Sequence, residues 1–346
     1  VILLAYYDGT KLLSMKDING ETPELYLCTG NRTGGKTTYF NRLVVNRFIN
    51  KGAKFALLYR YSYELSDCVE KFYKDIHHLF FNGHEMSSNT HGKGSYYSLH
   101  LDGALCGYAL ALNNADSIKK YSHVFNDVEG MIFDEFQSET NHYCPSEIEK
   151  FISVHTSIAR GQGKQYRPVP VYMLSNTVSL INPYFTALGI SDRLKADTKF
   201  LKGSGFVLEQ AFIESAAEEQ LNSGFNKAFA KNKYVSYASQ NVYLNDNKAF
   251  IEKPKGNSRY LCTIKYGNNN YCFREFSELG IIYCDDTIDS TFPMKISVTT
   301  DDHQINYVML KKNDIFIQNM RYLFEKGCFR FKNLLCKEAA LKMLSY

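Results

Sequence analysis

The sequence predicts an α/β domain on a mostly parallel sheet, then a small helical linker, then a second domain of α+β type. Three observations carry this. Apolar runs of strand length alternate with helix-patterned segments over the first 200 residues, the order of a parallel sheet with helical crossovers. The first apolar run leads through a glycine-rich loop into a helical pattern. From about residue 258, short strands follow one another with little helix between them.

Residues 24–28 read as the first strand, and after the loop a helical spacing (Tyr39, Phe40, Leu43, Val44, Phe48) runs to about 49. Phe55–Tyr59 is a buried strand, followed by a helix near 64–80. Tyr96–Leu101 and Gly107–Leu112 form a strand pair about the turn Asp102-Gly103. Met131–Phe133 and Val169–Leu174 are further apolar strands, with helical patterning at 146–159 between them. The first domain is expected to span 1–200. Residues 201–240, with helix-friendly Ala211–Ala230, read as the helical linker. In 241–346 the strands are Arg259–Tyr266, Asn270–Phe276, Gly280–Cys284 and Met294–Val298, then a helix at 304–326, a strand at Cys328–Phe331 and a helix at 334–344. That order is the order of an RNase H-like domain.

Bulk properties bound the function. At 346 residues the chain can hold two domains. No run reaches 18 uncharged apolar residues, so no membrane span is expected, and no secretory signal pattern opens the chain. Nine scattered cysteines without C-x-x-C predict reduced, cytosolic thiols rather than disulfides or zinc. A net charge of +4 gives no global polyanion signal. The last 36 residues are more basic, with Lys311, Lys312, Arg321, Lys326, Arg330, Lys332, Lys337 and Lys342 against three acids. This is either a surface facing nucleic acid or a solvated helix face.

The loop itself reads Gly30-Asn31-Arg32-Thr33-Gly34-Gly35-Lys36-Thr37, a complete G-x-x-x-x-G-K-[ST] sequence between a strand and a helix. Backbone N–H groups at such a helix start bind anions, and the helix dipole adds to the field. These residues, with Thr38 beside them, are the candidate ATP ligands of a P-loop NTPase. Lys36 reaches the β- and γ-phosphates, and Thr37 holds Mg²⁺. Met131-Ile132-Phe133-Asp134-Glu135 supplies the rest. Asp134 ends a buried strand and is placed to hold Mg²⁺ beside Thr37, while Glu135 can polarise the attacking water. This argues for an ATPase of the class with a catalytic glutamate. It argues against a kinase, whose acceptor is not water, and against an inert adaptor. A helicase or other DNA-remodelling ATPase is the alternative.

Three further positions have two readings each. Ser175-Asn176 is either a γ-phosphate sensor at a strand end or an ordinary turn. Arg60, just past the second strand, either lies near nucleotide or nucleic acid or is a salt-bridged arginine at the core edge. Arg160, before Gly161-Gln162-Gly163, is a surface arginine or a finger for a neighbour's site.

The chain resembles the DNA-encapsidation ATPases of phi29-like tailed phages over nearly its whole length. The carriers are Gly30–Thr37 followed by Asn46–Ile49, Arg60-Tyr61 with Glu64-Leu65, Ile132–Phe136, Leu174–Asn176, Asn182–Phe185, Phe250–Lys253 and Thr299–Asp302. The resemblance implies a ring-forming motor, pentameric in the family, docked at the portal of an empty procapsid in the host cytoplasm. It implies ATP-driven translocation of double-stranded DNA. In the phi29 group it also implies a structural packaging RNA as partner and a C-terminal domain that has lost cleavage. It puts the arginine finger on Arg160 and the metal-binding and catalytic carboxylates on Asp134 and Glu135. Two positions depart: Tyr59-Arg60 stands where relatives carry two arginines, and Ser62 where a relative carries lysine. RNase H-type cleavage needs an acid within the first strand of the second domain. Arg259–Tyr266 has none, so no nuclease activity is expected despite Asp285-Asp286 and Asp301-Asp302.

Overall fold

The computed structural model describes residues 6–228 and 249–344, except 141, 162, 164, 180–181, 191–192, 195–197, 250 and 312–313. It divides into two compact units. The first holds the described residues up to 228 except 189, 190 and 193, and the second holds those three and the described residues from 249 on.

In the first unit a short helix α1 (Thr10–Ser14) precedes strand β1 (Leu25–Gly30), helix α2 (Lys36–Lys51), strand β2 (Lys54–Tyr59) and helix α3 (Leu65–Phe80). Strands β3 (Met86–His91), β4 (Tyr96–Leu101) and β5 (Ala104–Ala111) lead through α4 (Ala115–Lys120) to β6 (Val128–Asp134) and α5 (Glu147–Ala159). Then come β7 (Val171–Asn176), α6 (Pro183–Ala187), β8 (Phe200–Gly203), β9 (Phe206–Ala211), α7 (Glu214–Asn222) and α8 (Gly224–Ala228).

These strands make one nine-stranded sheet in the order β3-β4-β5-β2-β6-β7-β1-β9-β8. From β5 to β9 every neighbouring pair is parallel, and antiparallel hairpins finish both edges. Parallel strands covered on both faces read as unbroken apolar runs, as β1, β6 and β7 do. On one face Phe40 and Val44 of α2 and Leu65, Val69 and Phe72 of α3 pack against Leu57, Ile132 and Leu174. On the other, Phe133 of β6 stacks on Phe151 of α5 at 5.9 Å and meets Tyr184 of α6 edge-on.

The hairpin β8–β9 corrects the expected domain end at 200, because it extends the sheet. Every residue of β9 is buried, Glu209 and Gln210 included. Those two polar residues disguise the strand as linker. The Tyr7 hydroxyl donates to Glu209 Oε2 at 2.8 Å, which lets a carboxylate sit there. Only 214–222 and 224–228 of the expected linker are helical among the described residues, and 229–240 lies outside them. Strand β3 was not expected, since Met86-Ser87-Ser88-Asn89-Thr90-His91 is mostly exposed and carries no alternating pattern. Gly30 is required by close approach: a Cβ there would lie 1.7 Å from the Ala211 carbonyl oxygen across the β1–β9 pair.

The second unit forms a six-stranded sheet from β10 (Arg259–Tyr266), β11 (Asn269–Phe276), β12 (Ile281–Asp285), β13 (Lys295–Ser297), β14 (Val308–Met309) and β15 (Phe329–Phe331). Its order is β14-β13-β10-β11-β12-β15. The strands β10, β11 and β12 are antiparallel, while β13 is parallel to β10 and to β14, and β15 to β12. The helix expected at 304–326 starts only at Ile315, where the Asp314 side chain caps Phe316 N at 2.8 Å. Strand β14 occupies part of the expected helix. That helix and the last one, Leu334–Leu344, supply Ile317, Met320, Cys336, Ala340 and Met343 to the core.

Candidate nucleotide site

Strand order builds the site. Inserting β7 between β1 and β6 brings three strand ends together. Gly30 pairs in register with Asn176, and Asp134 with Leu174. The glycine-rich loop leaves β1 and enters α2 through Gly35, whose φ of +87° suits glycine and no other residue comfortably. The first N–H groups of α2 therefore face the loop, as an anion site requires.

Lys36 is buried, and its Nζ donates to the Asn31 carbonyl at 2.7 Å. Burial pulls its ammonium below the usual lysine range, against the opposing pull of Cys28 and Asp134. Asn31 is 1% exposed and tied twice to the segment after β9. Its Nδ2 donates to the Ile213 carbonyl, and its Oδ1 accepts from Ile213 N, both at 3.0 Å. Its side chain is thus a strut of the loop rather than a phosphate ligand. The Thr33 hydroxyl accepts from Gln220 of α7 at 2.8 Å, and Gly34 O from Tyr7 N at 2.8 Å. Arg32 forms an ion pair with Glu139, and Asn176 Nδ2 lies 3.5 Å from the same Oε1.

Thr37, Asp134, Glu135 and Arg60 line one cleft of about 350 Å³. Its far wall is a polar stripe of α3, with Cys68, Lys71 and Asp75. Asp134 protonates at about 6, pushed up first by burial and then by the charge of Glu135, while Thr37 and Lys36 oppose the shift. A hydroxyl and a carboxylate with an unmet demand for positive charge are the hard oxygen donors that suit Mg²⁺. Glu135 is exposed, so its carboxylate is open to the cleft.

Arg60 lines the cleft and is also salt-bridged. Its Nε lies 3.1 Å from both oxygens of buried Glu147, and its Nη1 and Nη2 donate to the carbonyls of Glu135 and Phe136. It is the salt-bridged arginine of the core edge, with its donors turned to protein. Arg160 is exposed at the C-terminal end of α5, with Nε 3.3 Å from the Thr156 carbonyl, and does not line the cleft. Thr38 sits in the first turn of α2 beside Thr37. Glu139, Glu147 and Gln220 were not read from the sequence as site residues. Each reaches the site across 87 to 187 positions, and no local pattern marks such approaches.

A model of the podovirus DNA encapsidation protein (Gp16) family matches residues 4–345. The chain belongs to this family. Among curated relatives of this encapsidation family, the DNA packaging protein of Bacillus phage phi29 is 25% identical over 344 residues, 98% of this chain and 96% of that protein. The DNA packaging protein of Bacillus phage B103 is 26% identical over 318 residues, covering 91% and 94%. Among solved structures, the bacteriophage Phi-29 viral genome packaging motor assembly superposes with a TM-score of 0.67 at 24% identity, over 98% of this chain and 99% of that one. The Phi-28 gp11 DNA packaging motor gives 0.63 at 18% identity, over 99% of each. Both structures share the fold of the encapsidation protein described here, and the family read from the motifs is the family found.

Proposed function

We propose that this chain is the ATP-driven motor that moves double-stranded DNA into a preformed procapsid. The observation that carries the reading is the cleft where Thr37, Asp134 and Glu135 meet beside a complete phosphate loop, in a chain of the DNA encapsidation family. Lys36 and the amides at the start of α2 bind the phosphates of ATP. Thr37 and Asp134 would hold Mg²⁺, which supplies charge neutralisation to phosphoryl oxygens when bound. The Glu135 carboxylate takes the proton of the lytic water. Asn176, at a strand end beside Gly30, senses the γ-phosphate. Arg160 is exposed and does not line its own cleft, which suits a finger acting on a neighbour in a homomeric ring of five.

The deciding experiment is the ATPase rate with and without duplex DNA, together with the mass of the complex in solution. Stimulation by blunt duplex in a ring-sized assembly is expected. A protein that hydrolyses ATP as a monomer, or that unwinds forked duplex, would overturn the motor reading. Docking at the portal, and any packaging RNA, belong to the same reading and are tested by co-sedimentation with procapsids.

We read the second unit as RNase H-like and without nuclease activity. The order β14-β13-β10-β11-β12 supports the fold. The charges support the loss of cleavage. Asp285 Oδ2 lies 3.5 Å from Lys253 Nζ and 3.6 Å from Arg274 Nε, cations where a nuclease carboxylate would meet metal. Asp286 pairs with Lys332 at 2.5 Å. Purified protein should leave plasmid intact in Mn²⁺, and nicking abolished by Asp285→Ala would refute this. Of the basic candidates, Lys311 is exposed, Arg330 donates to the Gly327 carbonyl, and Lys332 is paired. Lys312 lies outside the described residues.

A further inference from the structure

Glu135 has a backbone φ of +55°, in the left-handed region that non-glycine residues seldom adopt. Such a conformation persists only where its surroundings over-determine it. Its amide donates to Asp134 Oδ1 at 2.9 Å, and the next amide, Phe136 N, to the Leu174 carbonyl at 3.1 Å. Both carbonyls of the turn point to one guanidinium: Glu135 O accepts from Arg60 Nη1 at 3.2 Å, and Phe136 O from Arg60 Nη2 at 2.8 Å.

That guanidinium is itself fixed. Arg60 is 8% exposed and Glu147 4%. Glu147 is oriented in turn by Cys144 N at 2.7 Å and by the Tyr184 hydroxyl at 2.8 Å. The rings of Phe133 and Tyr143 lie 5.6 and 5.1 Å from the guanidinium carbon. A planar fork can serve two carbonyls and a carboxylate together, which an ammonium cannot.

We propose that Arg60 is a positioning residue for ATP hydrolysis, acting through the backbone of Glu135, and this rests on the reading of Glu135 as the hydrolytic base. With the fork in place the turn is held left-handed and the Glu135 carboxylate is aimed into the cleft. Without it the turn relaxes toward ordinary backbone angles and the carboxylate swings out of line. Phosphate binding by the loop and Lys36 is separate from this turn, so affinity and turnover come apart.

Two variants test this beside wild type and Glu135→Gln. Arg60→Lys keeps the buried positive charge opposite Glu147 but cannot reach both carbonyls. The pair Arg60→Met with Glu147→Met removes both charges, so no unpaired ion is left to unfold the chain. The readouts are kcat, the Kd of a fluorescent ADP analogue, and the melting temperature. Both variants should lose about 10- to 100-fold in kcat, the scale of a small misplacement of a reacting group. The Kd should stay within about threefold, since the phosphate ligands are untouched. A double variant with wild-type kcat overturns the proposal. So does a loss of kcat and affinity by the same factor, which would mark the ion pair as a support of the fold alone. Wild-type turnover in Glu135→Gln would instead refute the hydrolytic reading. An inactive Glu135→Gln beside normal Arg60 variants would refute only the positioning.

Discussion

Asn176 and Arg32 meet on one oxygen, Oε1 of Glu139. The ion pair from the phosphate loop and the 3.5 Å approach from the end of β7 converge there. A single carboxylate thus links the end of β7 at Asn176 to the glycine-rich loop at Arg32.

This linkage sets the expected effect of Glu139→Gln. A phosphate bound at the loop would have to compete with this carboxylate for Arg32, and would meet its negative charge. Both partners are partly exposed, 38% and 29% for their side chains, so the interaction is modest and screened. Glu139→Gln should tighten nucleotide binding about two- to five-fold and weaken the response of turnover to DNA. Titration with a fluorescent ADP analogue checks the first part. Unchanged or weaker binding would show that Glu139 does not restrain Arg32.

Asp134 links the site to stability through pH. Its carboxyl titrates at about 6 in the metal-free fold, against an ordinary value of 3.8. The folded state therefore holds the proton more tightly than the unfolded chain. Ionising Asp134 therefore costs the folded state stability: the cost is absent below about pH 4, grows as pH rises through about 6, and is nearly complete at pH 7. A difference of that size corresponds to about 3 kcal/mol, so about 1–3 kcal/mol is expected after relaxation. In metal-free buffer Asp134→Asn should be more stable than wild type at pH 7 by this amount, with the gap closing toward pH 4. Magnesium nucleotide should reverse the ranking. Paired thermal melts across that window decide it, and a variant less stable than wild type at pH 7 without metal would contradict the burial argument.

Asn31 separates the loop's scaffold from its ligands. Asn31→Ala removes two backbone contacts and strands the N–H and C=O of Ile213 in a partly buried place. The expected cost is about 2–4 kcal/mol, seen as a lower midpoint in urea. Nucleotide affinity should fall with it, because the loop loses its anchor to the segment after β9. Asn31→Asp is the sharper probe. It keeps the acceptor for Ile213 N but puts a charge against the Ile213 carbonyl, so it should be no better than alanine.

The sequence was most legible where function is local. The loop from Gly30 to Thr37, and Asp134-Glu135 at a strand end, are short strings whose chemistry travels with their spacing. What they lacked was their supports. Asn31 reads as a variable position inside the motif, and its tie to Ile213 depends on β9 lying beside β1. Glu147 reads as an ordinary acid in the first turn of a helix, yet it is buried under Arg60. Strand β9 was hidden because Glu209 and Gln210 are buried in it, and the hydroxyl that satisfies Glu209, from Tyr7, lies about 200 residues earlier. Polar residues with distant partners look like surface until the fold supplies the partner.

In the proposed ring, helix α5 offers a route from one site to the next. Its first residue, Glu147, is locked to Arg60 and so to the turn of Glu135, and Arg160 caps its other end. Thirteen helical residues span about 20 Å as a stiff rod. If Arg160 completes a neighbour's site, a shift at Glu135 moves the finger presented next door. Chains carrying Arg160→Ala and chains carrying Glu135→Gln should each be inactive alone. Mixed in equal amounts, they form rings in which about a quarter of the interfaces pair an intact base with an intact finger. The mixture should therefore recover ATPase activity of up to about that fraction, provided neighbours need not fire in strict sequence. Mixing at several ratios separates the cases. Recovery that peaks near equal proportions establishes action between subunits. Activity that stays at zero at every ratio, in rings shown by mass to be mixed, removes the support for a finger in trans and leaves Arg160 as a surface residue of its own chain.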